Sequence, residues 1–285
     1  MPSLQAEGSP LTGISSEGFN RKVNSTNFSS GRPLPAFLRV PCALLLLVFL
    51  VFSCSKKEVR TDEPFDAEKS LARGTELMEK KEYEEARKVL LEVKNRDLSK
   101  KYAPLAQLKI ADSYIKEEEY ETGVEEYRRF LEIYPDHQNA SYAQYQIAMA
   151  YFVQIESPER GYGAAAKALA EFEKLKRMFP RNPYREMIEL RIEKCRNTMA
   201  DYEFLVAEFY FRKGSCHAAV GRLQQLLTKF PDYRREPVVL FRAAHCYKKL
   251  GNRDKALEYY NRLLEKYPGD NVIKEAKKEF ASYGK

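Results

Sequence analysis

Along residues 67–268 the apolar positions recur at helical intervals, and small residues interrupt them at two fixed spacings. Gly74, Ala111, Ala148, Ala207 and Ala244 each lie mid-way along an apolar-periodic run. Ala86, Gly123, Ala168, Ala219 and Ala256 follow them by 12, 12, 20, 12 and 12 residues, and the next unit begins after a further 25, 25, 39 or 25. Two antiparallel helices approach closely only where a side chain is Gly or Ala, and 12 residues span a turn and a return path. The pattern therefore predicts five helix pairs in an all-α solenoid. Tyr114, Tyr151, Tyr210 and Tyr247 each stand three residues after the first small residue, on the same helical face. Pro135, Pro180, Pro231 and Pro268 each stand 12 after the second one and end the second helix, because proline has no amide to continue it. An aromatic precedes each (Tyr134, Phe179, Phe230, Tyr267) and is expected to plug the gap between repeats. The first repeat has NRDLSKKYAP at its exit instead.

The deviations are confined to the third repeat. SPERGYG, residues 157–163, is expected to be a loop inside it. From Tyr184 to Lys213 there is no Pro or Gly, which predicts one continuous helix of about 45 Å. Its apolar seam is expected to run Ile188, Ile192, Cys195, Met199, Tyr202, Val206, Phe209. The helix would link three repeats in residues 67–182 to a module of residues 183–285, comprising itself, two repeats and a last helix.

The start of the chain is different material. Residues 40–53 (VPCALLLLVFLVFS) carry no charge and follow Arg39. They fall short of the roughly 20 apolar residues that span a bilayer and match the apolar core of a secretion signal. Val51-Phe52-Ser53-Cys54 resembles the bacterial lipobox, with Phe52 where a small residue is usual. The resemblance implies that residues 1–53 are a leader, that Cys54 carries the lipid, and that Ser55 after it directs the chain to the outer membrane. An uncleaved apolar anchor is the competing reading. Residues 54–66 read as the lipidated end and a polar tether.

Charge sharpens this division. The net charge is +7, but residues 55–285 hold 44 basic and 39 acidic side chains, a mixed-sign surface that gives little support to nucleic-acid binding. His137, His217 and His245 are isolated, and no phosphate loop or nucleophile–base arrangement is legible, so neither an enzyme, a metal nor a cofactor is expected. Cys195, Cys216 and Cys246 are an odd number, which argues against a disulfide framework; they lie in apolar helical patterns and read as small buried hydrophobes.

Segments such as AAHCYKKLGNRDKALEYYNRLLEKYP resemble the tetratricopeptide repeat, which implies a right-handed superhelix with a concave face. The lipobox Cys54, five repeats, the long helix and the run ADYEFLVAEFYFRKGSCHAAVGRLQQLLTKFPD together are similar to the BamD family. These are the tetratricopeptide lipoproteins of the outer-membrane β-barrel assembly machine. The likeness covers residues 54–268 and is carried by Tyr202, Glu203, Val206, Ala207, Phe209, Tyr210 and Arg222. It departs at the end of the first repeat, where the family has an aromatic-Pro turn.

What the resemblance implies is a scaffold at the periplasmic face of the outer membrane, working with other assembly lipoproteins. Its C-terminal repeats would hold the periplasmic domains of a BamA-like barrel protein through Arg222, whose planar fork can grip a carboxylate. A solvated helix Arg is the plain alternative. Its N-terminal repeats would receive unfolded outer-membrane proteins. Tyr142 and Tyr145 are candidates to stack on such a substrate, or else core residues, with Arg128 and Arg129 behind them. Another periplasmic tetratricopeptide scaffold, serving pilus or secretin assembly or a cell-wall enzyme, is the rival reading.

Overall fold

The computed structural model describes residues 64–283, and among them there are eleven α-helices and no strand. Five pairs follow one another: α1 (Ala67–Glu79) with α2 (Tyr83–Arg96), α3 (Ala103–Lys116) with α4 (Tyr120–Ile133), α5 (Ala140–Phe152) with α6 (Pro158–Met178), α7 (Arg185–Arg212) with α8 (Cys216–Lys229), and α9 (Glu236–Lys249) with α10 (Arg253–Lys266). A last helix, α11 (Val272–Phe280), closes the series. Helices pack mainly on their sequence neighbours, the arrangement of a tetratricopeptide solenoid. All ten small residues of the repeat are buried. A Cβ on Gly74 would come within 2.7 Å of Leu90 Cδ2, so a methyl group there would force the buried Leu90 side chain to shift. No helix of the described residues is long and apolar enough to cross a membrane. The Cys54 lipobox lies outside the described residues.

The turn inside each pair has a register of its own. Seven residues after the first small residue the backbone enters the left-handed region, at Lys81 (φ 62°), Glu118 (φ 63°), Gly214 (φ 73°) and Gly251 (φ 74°). The third repeat has β-branched Ile155 at that position, a residue that pays a steric penalty for positive φ. There the chain runs on to Ser157 and starts α6 at Pro158, whose fixed φ suits a first helical position. The eight extra residues therefore extend a 21-residue helix rather than forming the expected loop. Gly161 is buried in it, and a Cβ there would sit 3.2 Å from Ile155 Cγ2 and 3.4 Å from Thr198 Cγ2.

At the other end of each pair the expected plugs are in place. Tyr134, Phe179, Phe230 and Tyr267 cap α4, α6, α8 and α10, and all four pack against the apolar clusters beside them. The exit of the first repeat works differently. The Asp97 carboxylate accepts backbone N–H groups from Tyr102 (2.6 Å), Ala103 (2.9 Å) and Ser99 (3.1 Å), tying the end of α2 to the start of α3.

The long helix α7 is continuous over 28 residues, yet its buried face is not one seam. Ile188, Ile192 and Cys195 join the cluster under α6, whereas Ala200, Phe204 and Ala207 join the cluster under α8. Tyr202 and Phe209 point out, 37% and 52% exposed. A strict 3–4 spacing drifts about 20° per heptad around a straight helix, and the packing partner changes half-way, so the buried stripe shifts with it.

Candidate functional site

Two surfaces carry the predicted residues. The first is on α8. Its exposed stripe is Ala218, Gly221, Arg222, Gln225 and Thr228, one face of the helix by their spacing of three and four. Gly221 has no positive φ, and a Cβ added to it would meet nothing within 4 Å. The fold does not require a glycine there, and mid-helix it costs about 1 kcal/mol against Ala.

Arg222 stands three residues after Ala219. The same register holds Glu126 in the second repeat and Glu171 in the third, and both are occupied. Buried Gln107, four before Ala111, donates from Nε2 to Glu126 Oε2 at 2.6 Å; buried Gln144, four before Ala148, donates to Glu171 Oε2 at 2.8 Å. In the fourth repeat the carboxylate stands on the first helix and a cation on the second. Glu203 takes the Gln position and Arg222 the Glu position, but Glu203 pairs with Lys229 at 3.5 Å. Arg222 is exposed, and among the described residues no carboxylate lies within ion-pair distance of it.

The second surface is a groove of about 470 Å³ over the first three repeats. Asp112 of α3 lies at its floor, with Met78, Ile115, Tyr120, Tyr127, Tyr142 and Val153 around it. Tyr142 Oη donates to Asp112 Oδ1 at 2.8 Å, and Tyr127 Oη donates to the same oxygen. The two rings meet edge to face at 6.4 Å. Burial pushes the Asp112 carboxyl up, with the two hydroxyls pulling against it. Burial, reinforced by Asp112, also raises both phenols. The result is an aromatic wall with a half-buried acid behind it and a second Asp112 oxygen, Oδ2, that neither tyrosine engages.

Tyr145 is not part of this groove. Its ring stacks on Tyr184 at 4.1 Å and 13°, with the Arg191 guanidinium 5.5 Å from the ring centroid, and packs against the cluster under α6. Tyr142 packs against the neighbouring cluster, so α5 divides the two predicted tyrosines between two cores. Arg128 and Arg129 are engaged on the surface: Arg128 with Glu125 (2.9 Å) and Glu171 (3.2 Å), Arg129 with Glu126 (2.8 Å). Asp112 and Gly221 escape a reading of the sequence. The first shows only as the residue after a repeat Ala, the second only as a glycine where the pattern asks for none.

The described residues hold no cluster of His, Cys, Asp and Glu that could bind a metal ion. With its repeated helix pairs, open groove and bare helix face, the chain is a tetratricopeptide-repeat protein built to present surfaces. It belongs to the family described as outer membrane lipoprotein, whose model matches residues 66–263. Relatives in several bacteria carry the name outer membrane protein assembly factor BamD. That of Vibrio cholerae is 27% identical over 240 residues, covering 79% of this chain and 96% of its own. That of Caulobacter vibrioides is 25% identical over 243 residues (84% and 78%), and that of Rickettsia prowazekii 24% over 226 (79% and 90%). Solved structures superpose loosely, for example the TPR2AB domain of yeast Sti1 at TM-score 0.40 and 18% identity over 76% of this chain and 86% of that one. The repeat assignment rests on this chain's own register and packing.

Proposed function

We propose that this chain is an outer-membrane protein assembly factor, a lipid-anchored scaffold at the periplasmic face of the outer membrane. In this reading Cys54 carries the acyl chains, and α8 binds the periplasmic domains of a BamA-like barrel protein. The groove beside Asp112 receives unfolded outer-membrane proteins, and other assembly lipoproteins share the remaining surface. The family and the names of the relatives support the role.

The observation that carries the partner assignment is the stripe on α8. An unpaired Arg stands beside a glycine that the fold does not use, in a register whose counterparts in the second and third repeats are locked by glutamines. An incoming backbone can lie close to α8 at Ala218 and Gly221, and a carboxylate it brings can pair with Arg222. At the groove, the exposed edge of Tyr142 and the Asp112 carboxyl suit an extended segment rich in aromatic side chains with free backbone N–H donors.

Binding of the purified periplasmic domains of the barrel partner to the full chain tests this reading. Arg222→Glu is expected to weaken binding by at least about tenfold, the loss of one charge-assisted contact plus repulsion, with the melting temperature unchanged. Gly221→Ala is expected to stabilise the free chain by about 0.5–1 kcal/mol and still weaken binding. Full affinity in both variants would remove α8 as the interface.

A further inference from the structure

The register of the repeats also places two thiols together. Between the fourth and fifth repeats, the position three before the small residue of α8 is Cys216, and the position two after that of α9 is Cys246. At the equivalent junctions the same two positions hold Tyr83 with Ser113, Tyr120 with Ala150, and Ala165 with Phe209. Cys216 is the first residue of α8, held just past the left-handed Gly214, whose carbonyl accepts its N–H at 2.9 Å. It is partly buried and packs against the C-terminal cluster that contains the fully buried Cys246. The helices α8 and α9 lie against each other, and both cysteines sit in the apolar cluster at their junction, with Cys216 a side-chain neighbour of the Cys246 thiol. Both sulfurs are free, and Cys195 belongs to the other cluster, under α6.

We propose that Cys216 and Cys246 are a dithiol site that closes to a disulfide, fastening α8 to α9. The substrate class is a disulfide oxidant. Cys216, the more accessible sulfur, enters as a thiolate and attacks one sulfur of the oxidant; the oxidant's S–S bond breaks and its first thiolate leaves. Cys246 then releases its proton to solvent, and its sulfur attacks Cys216 Sγ and displaces the second oxidant thiolate. Two thiols of the chain are oxidised to one disulfide, and one oxidant disulfide is reduced to two thiols. Burial, with the neighbouring Cys216 thiol next and Glu208 adding to it, keeps the Cys246 thiol protonated, while Arg242 pulls the other way. Cys246 is therefore the resolving sulfur and not the entering one. The Cys216 end of the bond lies six residues before Arg222 on the same helix, so the closed form holds the proposed partner-binding face rigid against the fifth repeat. The proposal rests on the reading above only for the extracytoplasmic setting in which such an oxidant is met.

The full chain, purified reduced and folded, is treated with oxidised glutathione, quenched with iodoacetamide and digested with trypsin. The expected product is peptide 214–222 joined to peptide 243–248, lighter than their sum by two hydrogens and separated by dithiothreitol. The melting of the oxidised chain is expected to rise by about 5–10 °C. Cys195→Ser keeps the rise; Cys216→Ser and Cys246→Ser each lose it. Independent alkylation or glutathionylation of both cysteines in the folded chain, a bond involving Cys195, or a bond between two copies would overturn the proposal. None of these readouts depends on partner binding, so a failure here is distinct from a failure of the assembly reading.

Discussion

Glu236 offers the sharpest test of how the last two repeats hold together. It opens α9, has a side chain with no exposure, and accepts three donors from the end of α10: Arg262 Nη2, Lys266 Nζ and Tyr267 Oη, each at 2.6 Å. Burial raises its carboxyl, but the hydrogen bonds from Lys266, Tyr267 and Arg262 outweigh it and hold the group below the usual range. Glu236→Gln keeps the shape and removes the charge. Bonds to a charged group contribute about 1.5–3 kcal/mol each against about 1 for neutral ones. Arg262 and Lys266 are nearly half exposed and recover part of the loss in water. A net loss of about 2–3 kcal/mol follows, or about 5–10 °C in a domain of this size. In a solenoid the loss stays local, so hydrogen exchange is expected to quicken in α9–α11 and not in α1–α4. The pH dependence has a fixed sign. A lowered folded pKa gives stability that is complete above the ordinary Glu value and lost as pH falls through the folded one. The gap between wild type and variant must therefore narrow in acid. An unchanged melting point at neutral pH, or a gap that widens in acid, would refute the reasoning.

Two further predictions concern turns. Asp97→Ala should destabilise the first repeats by about 1–2 kcal/mol, a lost cap, as read by urea unfolding. Burial raises the Asp97 carboxyl, but its hydrogen bonds from Ser99 and the Tyr102 and Ala103 amides hold it below the usual range, so the loss should shrink as pH falls below that range. Glu118→Gly, at φ 63°, should stabilise by about 0.5–1 kcal/mol in the same assay, because glycine adopts that backbone without a steric penalty; a destabilised variant would show that Glu118 is held by something other than the turn.

The repeat was legible because its cause is steric and local. Helices that touch need Gly or Ala at the contact, and the spacing of contacts is set by turn length, so ten residues fix five pairs. The long helix was legible for a similar reason, the lack of any breaker between Tyr184 and Lys213. What the pattern could not give is which face of α7 is buried, since that depends on where α6 and α8 lie and not on α7's own spacing. The loop expected at 157–163 failed on composition: its glycines suggested a break, but Pro158 starts a helix well, and Gly161 is there to let Ile155 and Thr198 close in. Tyr142 and Tyr145 look equivalent in sequence and differ in place because two clusters meet along α5.

The contrast between repeats two, three and four explains why one helix can be specialised without weakening the rest. Gln107 with Glu126, and Gln144 with Glu171, each clamp a first helix to its second and bury a polar side chain to do so. The fourth repeat forgoes that clamp. Its helices are held instead by the apolar contacts of Phe204, Ala207, Ala219 and Leu223, by the Glu203–Lys229 ion pair at 3.5 Å, and by Tyr233, whose hydroxyl donates to Asp201 at 2.6 Å. Once the apolar core suffices, the register position on α8 no longer has a structural duty, and a cation there can face outward. Because each repeat leans only on its neighbours, the exchange of Glu for Arg at this position leaves repeats one to three untouched. Arg222 should therefore matter to a partner and not to the fold.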